Sequence, residues 1–107
     1  MTWKVTFLDE DVQAYINALP RDIRSRFERI AMMIEEYGLE RIHEPYVKHI
    51  EGSVWEMRMK GRDQIARAFY VTATGKRVVV VHAFIKKTQK TPRREIVTAL
   101  RRAQEVE

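Results

Sequence analysis

From His82 to Pro92 the chain reads His-Ala-Phe-Ile-Lys-Lys-Thr-Gln-Lys-Thr-Pro, and Arg93 and Arg94 follow at once. Lysines therefore leave the end of an apolar run just before Thr91 and Pro92, residues that suit a helix start. Cations at a helix N-terminus oppose its dipole. Lys86, Lys87, Lys90, Arg93 and Arg94 are thus poorly placed for stability alone and well placed to hold a phosphate. The plainer alternative is that Lys86 and Lys87 solubilise a strand end or pair with acidic groups of a partner. His82 could transfer a proton near neutral pH. A histidine among Val78–Val81, Ala83 and Phe84 is more often a hydrogen-bonded core residue.

Two arginines sit within strand-like runs. In Val54–Lys60, alternation puts Val54, Glu56, Arg58 and Lys60 on one side and Trp55, Met57 and Met59 on the other. In the next run, Ile65, Arg67, Phe69 and Val71 share a face, with Ala66, Ala68 and Tyr70 behind them. Arg67 between Ile65 and Phe69 requires a partner, because an unpaired buried charge is costly. Either it forms a salt bridge to a residue such as Glu56, or it projects into a groove to grip phosphate. Lys60 and Arg62 extend the same positive stretch. Tyr70 and Trp55 could stack bases, although aromatics on strands usually belong to the core.

The charge distribution supports the anion reading. Of the 107 residues, the first 57 hold 7 basic and 11 acidic side chains, and the last 50 hold 13 and 4, giving −4 and +9. Between Arg58 and Arg102 the only acids are Asp63 and Glu95, so the second half should present a positive surface to a polyanion, with nucleic acid the leading partner. With no cysteine, disulfides, thiolate zinc sites and cysteine nucleophiles are excluded, and three scattered histidines make no metal cage. No cofactor is expected. No Gly-rich phosphate loop and no Ser/His/Asp arrangement is present. The longest apolar runs are far shorter than the roughly 18 residues of a membrane helix, and the first eight residues lack a signal-peptide core, so a cytoplasmic address without membrane contact is expected.

These residues need a scaffold. Trp3–Leu8 alternates as a short strand; Val12, Tyr15, Ile16 and Leu19 repeat at helical spacing after Asp9, and Ile23, Phe27, Ile30, Ile34 and Tyr37 draw a second helical stripe that Gly38 ends. Glu40–Pro45 reads as a loop. Val54–Lys60, Ile65–Thr72 and Val78–Lys86, joined by short Gly-containing links, predict an antiparallel meander whose last strand is covered on both faces. A final helix carries Ile96, Ala99, Leu100 and Ala103. The expected fold is α+β over residues 1–107 as one domain: a β-α-α-β-β-β-α chain with a small curved antiparallel sheet, the N-terminal helical hairpin on one face, and a partly open second face beside the C-terminal helix.

The blocks Val54-Trp55-Glu56-Met57-Arg58, Arg67-Ala68-Phe69-Tyr70 and His82 through Pro92, ending in Glu95-Ile96, resemble those of the RelE/ParE toxin superfamily, in its phage-derived HigB-like branch. The likeness spans nearly the whole chain, and the third block is its most specific part. It implies a toxin of a type II toxin-antitoxin system. The expected activity is ribosome-dependent, metal-independent mRNA cleavage that inhibits translation. The implied partners are mRNA on the ribosome and a cognate helix-turn-helix antitoxin through which operator DNA is contacted. By this resemblance, Arg67 and Lys87 would stabilise charge on the phosphate, with Arg58 and Lys86 positioning the backbone and His82 as a further candidate. Lys60, Arg62, Tyr70, Lys90, Arg93 and Arg94 would line the RNA path. Two positions depart from RelE itself: its paired lysines correspond to Val54 and Glu56, and its tyrosine in the last helix to about Ile96. Gyrase inhibition of the ParE kind and a non-catalytic basic binding module are the alternatives.

Overall fold

The computed structural model describes residues 2–106. Strand β1 (Lys4–Phe7) leads into α1 (Glu10–Asn17), whose first turn is capped by Asp9 Oδ1 accepting from the Val12 N–H at 2.9 Å. Pro20 ends that segment and opens α2 (Arg21–Tyr37). Gly38, at φ 91°, stops α2 in a conformation that favours glycine. A single 3-10 turn at Leu39–Arg41 precedes β2 (Val47–Glu51), β3 (Val54–Lys60), β4 (Ile65–Ala73), β5 (Arg77–Lys86) and α3 (Arg93–Ala103).

The strands form one sheet in the order β1-β5-β4-β3-β2. The α+β class and the meander β3-β4-β5 follow the expectation, while the sheet differs in two respects. It is mixed, because β1 runs parallel to β5, with Lys4 opposite Arg77 and Phe7 opposite Val80. It also has a fifth strand, since Val47–Glu51 pairs antiparallel with β3. Only Val47 and Ile50 in β2 are apolar, too few to mark a period-2 strand in the sequence. At the other edge, the Val5 N–H donates to Glu35 Oε2 of α2 at 2.8 Å, which occupies a donor that an edge strand would otherwise offer to another chain.

Alternation along the strands builds two cores. Toward the hairpin, Met57, Met59, Ala66, Ala68, Val78 and Val80 meet Ile23, Phe27, Ile30 and Ile34 of α2. The four helix residues recur at spacings of three and four, so one stripe is buried and the arginines and glutamates between them stay outside. Toward α3, Val54, Phe69, Val71, Val79 and Val81 meet Ala99, with Ile96 and Leu100 beside them. Burial of each large aliphatic side chain stabilises the fold by roughly 1.5–3 kcal/mol. The α3 contacts engage the Val54–Val71–Val79 end of this face. The end carrying Arg58, Arg67 and Lys86 contributes only Phe84 to that core.

Candidate nucleic-acid interface

Strand register places the basic residues. On the face that carries α3, Lys48, Glu56, Phe69 and His82 form one row across β2, β3, β4 and β5, and Arg58, Arg67 and Phe84 form the next row. Lys60, Ile65 and Lys86 form a third. A bulge at Val81, between the Phe69–His82 and Tyr70–Val80 pairs, lets both Val81 and His82 face α3. Neighbouring strands lie about 4.8 Å apart and adjacent rows about 6.8 Å apart along a strand, so long charged side chains in adjacent rows can reach one another.

Glu56 is the centre of this group. Its carboxylate lies 3.6 Å from Arg58 Nε and 3.4 Å from Arg67 Nε. Glu56 and Arg67 are 4% and 5% exposed, so the pair is out of water. Burial pushes the Glu56 carboxyl upward, opposed by Arg67, Arg58, Lys86 and Lys48. It pushes the Arg67 guanidinium downward, opposed by Glu56. Lys86 is lowered chiefly by burial and then by the nearby Arg67. Arg67 donates from Nη1 to the Ala66 carbonyl at 3.4 Å, while its Nε has no hydrogen-bond partner among the described residues. Of the two readings of Arg67, the structure shows the salt bridge to Glu56. One carboxylate answers several cations, so the ion pair holds the guanidinium in place and a positive excess remains.

Beside this group a cleft of about 850 Å³ runs along the exposed end of β3 to α2, lined by Arg58, Lys60, Arg62 and Arg67 on the sheet side and by Arg26 and Arg29 on the helix side. The Tyr46 carbonyl accepts from the Arg58 N–H at 2.9 Å, and β2 begins only at the next residue, Val47. The β3–β4 turn is fastened to the hairpin, because Asp22 accepts from the Arg62 N–H at 2.6 Å and from the Ile23 N–H at 2.9 Å. Gly61 makes that approach feasible: a Cβ there would lie 2.6 Å from Ile23 Cγ1.

The other sequence candidates are distributed differently. Lys87 is the first residue past β5 and is exposed, as is Lys90 in the connection to α3. Arg93 is held by Glu51 through paired contacts of 2.5 and 3.0 Å, and Arg94 is exposed one residue further on. His82 bonds Glu95 of α3 at 2.8 Å, with Arg102 Nη1 3.4 Å from its other ring nitrogen, so it sits in the seam between sheet and helix. Tyr70 points to the hairpin side and is 1% exposed, and burial raises its hydroxyl pKa. Lys86 thus joins Arg58 and Arg67, whereas Tyr70 does not. Sequence reading missed Arg26, Arg29 and Lys48. The first two are spaced i, i+3 on one shoulder of the α2 stripe, a signal available in the sequence, whereas Lys48 depended on recognising β2.

The fold is a RelE-like α+β domain that carries a basic cleft. The sequence matches the family described as phage derived protein Gp49-like (DUF891) over residues 14–104, and the chain belongs to that family of the RelE/HigB type. In fold it is similar to the archaeal RelE-RelB complex from Pyrococcus horikoshii OT3, with a TM-score of 0.57 and 21% identity over 85% of this chain and 100% of that one. No curated protein matches the chain. Among the described residues no helix is long and apolar enough to cross a membrane.

Proposed function

We propose that this protein is the toxin of a type II toxin-antitoxin pair and that it cuts mRNA in the ribosomal decoding site. The observation that supports this most is the convergence of Arg58 and Arg67 on the single carboxylate of Glu56, with Lys86 on the same face of the sheet and a basic cleft beside them. In the reaction the ribose 2′ oxygen bonds to phosphorus and the bond from phosphorus to the 5′ oxygen breaks, leaving a cyclic phosphate and a free 5′ hydroxyl. The attacking hydroxyl gives its proton to solvent water, and the departing oxygen gains one from the protein. Arg67 and Arg58 stabilise the charge that builds on the phosphorane, the larger part of such catalysis. Lys86, whose ammonium gives up its proton more readily than an exposed lysine, protonates the departing oxygen. Glu56 positions the two guanidinium groups. His82 holds α3 through Glu95, and Lys87 and Lys90 attract the message from the exposed connection. A helix-turn-helix antitoxin covers the basic cleft or pins the helical hairpin, and the pair works in the cytoplasm.

Brief induction of the wild-type protein is expected to arrest growth and to create new 5′ ends inside translated messages, and purified protein should cut ribosome-bound mRNA. Arg58→Ala and Lys86→Met, both outside the core, should lower cleavage about 100-fold or more while leaving the fold intact. Undiminished arrest in both folded variants would refute this site. Intact messages with induced DNA-damage signalling would instead identify gyrase as the target.

A further inference from the structure

The cleft holds more cations than a scissile phosphate can use. Arg58 and Arg67 belong to the group around Glu56, yet Arg26 and Arg29 reach the same cleft from the opposite wall, on an element that contributes nothing to that group. Both are exposed, and neither side chain is needed by the α2 core stripe. Asp22 is the one acid in the lining, and both its oxygens already accept backbone N–H groups. The Arg62 N–H lowers the Asp22 carboxyl most, and Arg26 lies near enough to lower it slightly. Pro45 and the half-buried Tyr46 also line the cleft. A phenol ring there offers a flat surface on which a base can stack, and flanking guanidinium groups suit phosphates.

We propose that Arg26 and Arg29 form a second phosphate subsite, which holds single-stranded RNA flanking the cleaved bond, with Tyr46 stacking a base between the two walls. The inference rests on the RNA reading of the cleft. It adds that the bound strand passes over the free end of β3 from the α3 face to the hairpin. An acidic protein segment could satisfy arginines too, but it would make no use of an aromatic platform continuous with the Arg58–Arg67 site.

The test is binding, so it does not depend on cleavage. Fluorescence anisotropy with 2′-O-methyl oligonucleotides, which cannot be cut, would compare a hexanucleotide with a trinucleotide across a salt series. Arg26→Ala/Arg29→Ala should weaken hexanucleotide binding about tenfold and reduce the slope of log K against log salt by about 1.4, from roughly 0.7 per phosphate contact on single strands. Trinucleotide binding should change little. Tyr46→Leu should weaken the hexanucleotide with the salt slope unchanged. Equal hexanucleotide affinity and slope in wild type and the double variant would overturn the subsite, as would loss of antitoxin binding alone or no hexanucleotide binding by the wild type. If the subsite behaves as expected while Arg58→Ala and Lys86→Met still arrest growth, it is the nuclease reading that fails and the RNA track that stands.

Discussion

Replacing Glu56 with alanine removes the carboxylate that two arginines share. Arg58 is 36% exposed at its side chain and can turn to water, so its loss of a partner costs little. Arg67 has no such escape, with 6% side-chain exposure and an Nε already lacking a hydrogen bond. Stranding one member of a buried pair costs about 3–5 kcal/mol. The contact distances of 3.4 and 3.6 Å, longer than good charge-assisted hydrogen bonds, place Glu56→Ala toward the lower end of that range. At roughly 4–8 °C per kcal/mol for a domain near this size, the thermal midpoint should fall by at least about 12 °C. The paired change Glu56→Leu with Arg67→Met fills the same space without charge and should return to within about 1 kcal/mol of wild type. That double variant should nevertheless fail to arrest growth. Urea unfolding of the single and double variants measures both quantities. A loss under about 1 kcal/mol in Glu56→Ala would show that the pair is not desolvated and would refute the reasoning.

The acid limb of stability should carry two opposite signs. Asp22 and Glu51 are held below their ordinary values of 3.8 and 4.5, chiefly by the Arg62 N–H and by Arg93, so their stabilisation is complete above those values and is lost as pH falls through the lowered ones. Glu56 is raised by burial, so its effect runs the other way, and stability is lost as pH rises past 4.5 toward the raised value. In melting curves taken against pH, Asp22→Asn should flatten the loss on acidification and Glu56→Gln should steepen it; unchanged slopes would contradict the assignments. Gly61→Ala should destabilise by about 1–3 kcal/mol, because the new methyl would lie 2.6 Å from Ile23 Cγ1 and 2.7 Å from Asp22 Oδ2. It should also weaken oligonucleotide binding by moving the turn that carries Arg62, and a variant as stable as wild type would show that α2 yields.

Much of the scaffold was legible because its signals are local. The α2 stripe, the helix stop at Gly38 and the apolar Val78–Val81 run each depend on residues within a few positions of one another. Strand alternation alone placed Arg58 and Arg67 on one face with Glu56, and the register agrees. The parallel pairing of β1 was not legible, since Lys4 and its opposite residue Arg77 lie far apart in the chain and a four-residue strand does not announce its direction. Edge strand β2 was hidden by its polar residues. The helix-side wall of the cleft was obscured for another reason: Arg26 and Arg29 have the composition of an ordinary solvated helix face. Only their position opposite a strand end from another part of the chain marks them as part of the cleft.

β5 lies between the first strand of the chain and the fourth, and it also carries Lys86. Since synthesis proceeds from the N-terminus, every earlier element is made before the strand that joins them. A nascent chain lacking residues 77–86 has an unpaired β1, an unpaired edge on β4 and an incomplete cluster of cations. Assembly of the cation cluster is therefore postponed until β5 has been made, and any shorter nascent chain lacks the Lys86 corner of the basic site.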